Sequence, residues 1–202
     1  MENKKSILLD VDEVICFPSF LDAINDFMKT NYEIDDFKEY YIDEVAIPKE
    51  RFNEFNAFIN KKNLYNNAHI LPNSIEVIEK LNEYYNIYIC SSCINPFDLD
   101  GSGKLFKDKY DFLRKNLPFI KPDNYIFTGT KSLFNADIQI DDRLPNLKNN
   151  VRIKILFPSY HNKDISDIEL DTYNIIRAGK DWRTGWNEVE NILINKHKIY
   201  RK

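Results

Sequence analysis

Two aspartates separated by one residue close an early apolar run. In SILLDVDEVI, residues 6–15, Asp10 and Asp12 follow Ile7, Leu8 and Leu9. On an extended chain, side chains two apart point the same way, so both carboxylates can face one reactant. A second pair, Asp141 and Asp142, closes the run ADIQIDD at 136–142. Four acids gathered at one place make a charge density that a fold tolerates only around a cation. Mg²⁺ is the natural choice, being a hard ion that takes oxygen ligands and keeps several waters beside a phosphate. Ser91, closing NIYICSS, and Lys131, just past NYIFTG, add a hydroxyl and a cation that suit an anion.

These residues belong together only if the elements bring them together. Short runs rich in Ile, Leu, Val and Tyr at 6–11, 86–92, 124–129, 136–142 and 152–157 are expected strands, with helical patterns between them. PNSIEVIEKLNEYY has Pro72 at its start and Ile75, Ile78, Leu81 and Tyr85 on one stripe, and KLFKDKYDFLRKNL and GWNEVENILINKH are further helices. Alternating strands and helices predict an α/β, Rossmann-like parallel sheet covered on both faces. Ligands of such sheets bind outside the carboxyl ends of the strands, where all these polar residues fall. The stretch from the first strand to the second is far longer than a crossover requires. Residues 17–68 are therefore expected to form a small helical cap, with 1–16 and 69–202 making up the core.

Composition narrows the function. The chain has 202 residues, a net charge of −4 and 43% hydrophobic residues, enough for one α/β domain with an insertion. A net acidic chain argues against gripping duplex nucleic acid by its phosphates, whereas a small phosphate ester needs only one or two cations. No apolar run is long enough for a membrane helix or a signal peptide, and three cysteines, Cys16, Cys90 and Cys93, make no disulfide framework. A cytoplasmic protein is expected, and the sequence leaves room for a homodimer.

LLDVDEV, IYICSS, Lys131 and DIQIDDR occur in the order and at the strand ends found in the haloacid dehalogenase-like phosphohydrolases, which the chain resembles. Through ILPNSIEVIEKL, TGTKSLFNADIQIDDR and the closing WNEVENIL it resembles the 5'(3')-deoxyribonucleotidase family within them, over essentially its whole length. The resemblance implies a Mg²⁺-dependent phosphomonoesterase acting on (deoxy)nucleoside monophosphates through an aspartyl phosphate. It makes Asp10 the nucleophile and Asp12 the general acid and base. It gives Mg²⁺ to Asp10, the backbone carbonyl of Asp12, and the Asp141 and Asp142 pair, and gives the phosphoryl group to Ser91, Ser92 and Lys131. A cap of this kind stacks a nucleobase on aromatic faces, which singles out Phe17, Phe20 and Tyr65 near its junctions with the core. Two positions depart from the family pattern: Glu13 stands where Gly is common, and Gly129 stands where an Arg is expected. A phosphatase for another small ester, or a non-catalytic nucleotide-binding module, would share the same rim.

Other motifs compete less well. DLDGSGKLFKDK at 98–109 starts like a calcium-binding loop, with Asp98, Asp100 and Ser102 at ligand positions and Gly103 at the turn, but its twelfth residue is Lys109 rather than a bidentate Glu. CSSC at 90–93 has redox or zinc spacing without a second ligand pair. His69, His161 and His197 are isolated in sequence and suggest no cluster.

Overall fold

A computed structural model describes residues 4–94, 99 and 101–195. Its centre is a six-stranded sheet in which β1 (Ser6–Leu9), β2 (Asn86–Ser91), β3 (Tyr125–Phe127), β4 (Ile138–Asp141), β5 (Ile153–Leu156) and β6 (Ile175–Arg177) are ordered β3-β2-β1-β4-β5-β6. Every pairing is parallel. β1 is central: Ile7 lies opposite both Ile87 and Ile138, and Leu9 opposite Ile89 and Ile140. Strands buried on both faces read as continuous apolar runs, which is why SILL could be recognised. The edge strand β6 was not foreseen, because three residues carry no periodicity.

The chain leaves and re-enters this core through a two-stranded antiparallel ribbon, Cys16–Phe17 against His69–Ile70. Between them lie α1 (Phe20–Met28), α2 (Ile42–Ala46) and α3 (Phe52–Ile59), packed around their own apolar cluster with Ile24, Phe37 and Phe55 buried. The rings of Phe20 and Phe27 meet Phe55 edge-on at 5.9 and 5.3 Å.

Helices α4 (Ser74–Tyr84) and α5 (Ser102–Asn116) flank the sheet. Asp98 and Asp100 of the calcium-like motif lie outside the described residues, but Ser102 to Lys109 are helix and do not form the rest of a calcium loop. Past α6 (Leu144–Leu147) and α7 (Asp167–Thr172), the closing helix α8 (Gly185–Glu190) buries Trp186 completely. The indole Nε1–H donates to the carbonyl of Val14 at 2.7 Å, tying α8 to the turn after β1. The helix approaches so closely that a Cβ on Gly185 would lie 2.7 Å from Phe157, so only glycine fits there.

Trp186→Phe tests that tie. It removes the donor and leaves the Val14 carbonyl unpaired in an apolar setting, a loss of about 1–3 kcal/mol. At roughly 2–4 °C per kcal/mol for a domain of this size, thermal denaturation is expected at a Tm several degrees lower with the fold retained. An unchanged Tm would contradict the assignment.

Candidate active site

β1 ends at Leu9, one residue before Asp10. The Asp10 N–H still reaches the Ile140 carbonyl at 3.1 Å, but the chain then turns tightly, with the Val11 carbonyl accepting from the N–H groups of Val14, Ile15 and Cys16. Asp10 and Asp12 are thus brought to one rim by a turn and not by the two-residue period of a strand. The Asp10 Oδ1 accepts from the Val11 N–H at 2.8 Å. Its Oδ2 lies 2.6 Å from Lys131 Nζ, which also donates to Asp141 Oδ2 at 2.8 Å. All three residues are nearly excluded from solvent. Burial works against the charge on Lys131, but the Asp10 and Asp141 carboxylates outweigh it and hold the amine protonated.

Carboxylate oxygens of Asp10, Asp141 and Asp142 lie within 4.8 Å of one another. Burial raises the carboxyls of Asp141 and Asp142 above the usual range, and for Asp142 the nearby charges of Glu13, Asp141 and Asp10 add to the effect. A cluster of hard oxygen donors whose charges resist ionisation in the absence of a cation fits a small divalent ion such as Mg²⁺.

Glu13 stands beside Asp142 at the rim, but its charge is met by donors. Its backbone adopts a left-handed φ of 62°, the conformation that favours Gly. Its carboxylate accepts from Ser159 Oγ at 2.8 Å and Tyr160 OH at 3.3 Å, and lies 3.0 Å from His161 Nε2. The same imidazole nitrogen lies 2.8 Å from Asp142 Oδ2. Burial opposes the charged ring, but Asp142 and Glu13 outweigh it and raise the imidazole to about 9. The expectation of three unclustered histidines therefore fails for His161, which sequence distance had separated from its partners. His69 pairs with Asp22 at the surface, and His197 lies outside the described residues.

Lys109, noted in the sequence only as the residue that spoils a calcium loop, is fully buried at this rim. Its ammonium donates to Asp12 Oδ2 at 2.7 Å, to Ser91 Oγ at 2.9 Å and to the Ser92 carbonyl. Ser92 thus contributes a backbone acceptor, while its residue is exposed. The one signal for Lys109 was its place on the apolar face of α5, three residues before Phe112 and four before Leu113.

The aromatic trio divides. Tyr65 is 6% exposed and donates its hydroxyl to Asp12 Oδ1 at 2.7 Å, so its ring is packed against Phe112 and is not an open platform for a base. Phe20 and Phe17 both pack, partly buried, against the insertion's apolar cluster, Phe20 with its ring on Phe55. Phe17, half-buried, meets Trp182 edge-on at 5.1 Å beside Tyr160. Gly129 offers no side chain, and the space where one would start is open. The thiols of Cys90 and Cys93 are free and buried, and burial pushes both up to about 11, which leaves no reactive thiolate.

The model of the family described as "5' nucleotidase, deoxy (Pyrimidine), cytosolic type C protein" matches residues 4–197. The chain belongs to this family. It is 29% identical over 194 residues to a 5'(3')-deoxyribonucleotidase of Bacillus subtilis strain 168, covering 95% of this chain and 99% of that one. It is 27% identical over 194 residues to a candidate 5'(3')-deoxyribonucleotidase of Staphylococcus aureus strain Mu50, covering 95% and 97%. Among solved structures, a candidate haloacid dehalogenase-like hydrolase of Burkholderia xenovorans LB400 superposes with a TM-score of 0.54 at 13% identity over 95% of this chain and 99% of that one, a likeness of fold. No helix among the described residues is long and apolar enough to cross a membrane.

If the acid cluster holds a divalent ion, Mg²⁺ stabilises the fold without any substrate. Saturation at about 100 times Kd is worth about 2.7 kcal/mol, a Tm rise of roughly 5–10 °C. When Mg²⁺ is added back to protein stripped of metal by a chelator, Asp142→Asn is expected to abolish most of that rise. An equal rise in native protein and variant would remove Asp142 from the metal site.

Proposed function

We propose that the protein is a Mg²⁺-dependent phosphomonoesterase that hydrolyses deoxyribonucleoside monophosphates through an aspartyl phosphate on Asp10. The observation that carries this reading is the Asp10 carboxylate, anchored by the Val11 N–H and Lys131 beside the Asp141 and Asp142 pair, in a chain of the deoxy 5' nucleotidase family.

Asp10 attacks phosphorus through a carboxylate oxygen, forming an O–P bond as the bond to the sugar oxygen breaks. Asp12, whose side chain is 35% exposed while both its oxygens are held by donors, gives a proton to the departing alkoxide. It then takes one from the water that attacks the aspartyl phosphate, which releases phosphate and restores Asp10. The Ser91 hydroxyl and the Lys131 ammonium stabilise charge on the phosphoryl oxygens in both steps. Asp10, the Asp12 carbonyl, Asp141 and Asp142 would hold Mg²⁺, which would supply charge neutralisation that lets one anion approach another. Phe17, half-buried at the ribbon that joins the insertion to the core, is the ring assigned here to a base.

Phosphate release from 5'- and 3'-deoxyribonucleotides, the matching ribonucleotides and p-nitrophenyl phosphate, with Mg²⁺ and after chelation, tests this reading. Deoxyribonucleotides are expected to be hydrolysed fastest, with activity lost on chelation and in Asp10→Asn. In the same panel, Phe17→Ala is expected to lower kcat/KM for nucleotides by roughly 5- to 150-fold, as loss of one stacking platform does, while the aryl ester is affected less. Turnover of the aryl ester alone would leave a phosphatase for another small ester, and activity retained in Asp10→Asn would exclude the covalent step.

A further inference from the structure

Lys109 carries a full charge, is 0% exposed, and is not one of the residues that the motifs at the strand ends point to. An ammonium has three N–H donors and no acceptor. Here the three go to Asp12 Oδ2, Ser91 Oγ and the Ser92 carbonyl, so the amine is saturated and its direction fixed. Two chemical consequences follow. Because Lys109 can only donate, the Ser91 oxygen is an acceptor in this contact, and the hydroxyl has its own proton to give to an incoming phosphoryl oxygen. Asp12 is gripped from two sides, at Oδ2 by Lys109 from the core and at Oδ1 by Tyr65 OH from the end of the insertion, while about a third of its side chain faces solvent. A carboxyl group held in this way cannot rotate freely about its Cβ–Cγ bond, so that in the acid step, when Asp12 carries the proton it takes from the attacking water of the previous turnover, the O–H presented to a leaving group is fixed.

We propose that Lys109 is a positioning residue that aims the Asp12 carboxyl at the leaving-group oxygen and sets Ser91 as a phosphate donor. Lys109 itself stays a step away from the reacting atoms. The proposal rests on the acid and base role given to Asp12 above. No proton leaves Lys109 and none is added. The proton that reaches the leaving oxygen comes from Asp12, the O–P bond to that oxygen breaks, and the bond from Asp10 to phosphorus forms.

The distinguishing readout is dependence on the leaving group. The value of kcat/KM reports the steps up to the first bond cleavage, where a misaimed acid matters for a poor leaving group and hardly at all for a good one. A series of aryl and alkyl phosphates graded by the pKa of the released alcohol is therefore assayed with native protein and Lys109→Met, both with Mg²⁺ and with folding checked by circular dichroism. The expected result is a steeper fall of kcat/KM with leaving-group pKa in the variant, amounting to roughly 10²-fold or more for alkyl esters, the usual worth of a positioned acid, and under about 10-fold for p-nitrophenyl phosphate. A residue that merely supports the fold would lower all esters alike. Parallel lines for native protein and variant would overturn the proposal. Should Lys109→Met not fold, Lys109→Gln keeps a neutral donor of similar reach and is expected to give an intermediate slope, and a native slope there would equally overturn it. A native protein that turned over none of the esters would sink the phosphatase reading and this inference with it, whereas active native protein with parallel lines sinks this inference alone.

Discussion

The arrangement depends on charge balance in a nearly dry rim. Five carboxylates, those of Asp10, Asp12, Glu13, Asp141 and Asp142, pair directly with three cationic groups, Lys109, Lys131 and His161. With all of them ionised, two negative charges are left over, which one divalent cation would offset. Removing one partner of a buried pair strands the other, so each pairing constrains its neighbours. The same balance accounts for the raised carboxyls of Asp141 and Asp142 and for the protonated state of Lys131, because burial alone drives carboxyls and amines toward neutrality and only opposite charges hold them ionised.

That balance spans the molecule. The acids come from the ends of β1 and β4, Lys131 from the turn after β3, and Lys109 from α5. His161 and the hydroxyls that hold Glu13 come from the segment after β5. The insertion is joined to the same network at its exit, where Tyr65 touches Asp12, and its two ends are tied to each other by the Ser19 hydroxyl, which donates to the Leu64 carbonyl at 2.9 Å.

The sheet was legible because its central strands are buried on both faces and read as unbroken apolar runs, and the rim was legible because polar residues at the ends of such runs stand out. The partners of those residues were not legible. Lys109 is a charged residue on an amphipathic helix, and its spacing to Phe112 and Leu113, which sets it apart from the exposed Lys104 and Lys107, is a weak signal for a lysine that points inward. Glu13 and His161 are nearly 150 residues apart in sequence and meet only through the β1 and β5 ends. Tyr65 was singled out by its place at the junction as a face for a base, but whether an aromatic offers its face or its hydroxyl depends on side-chain direction, which sequence spacing does not give, and here the hydroxyl meets Asp12.

The central claim is that this charge balance serves to make Asp10 a nucleophile. Acid quenching of the protein during turnover of a deoxyribonucleotide, followed by proteolysis and mass spectrometry, tests it directly. The account predicts one added phosphoryl group on the peptide containing Asp10, lost on treatment with hydroxylamine and absent without Mg²⁺. Full turnover with no phosphorylated peptide, or a phosphoryl group on a different residue, would contradict it.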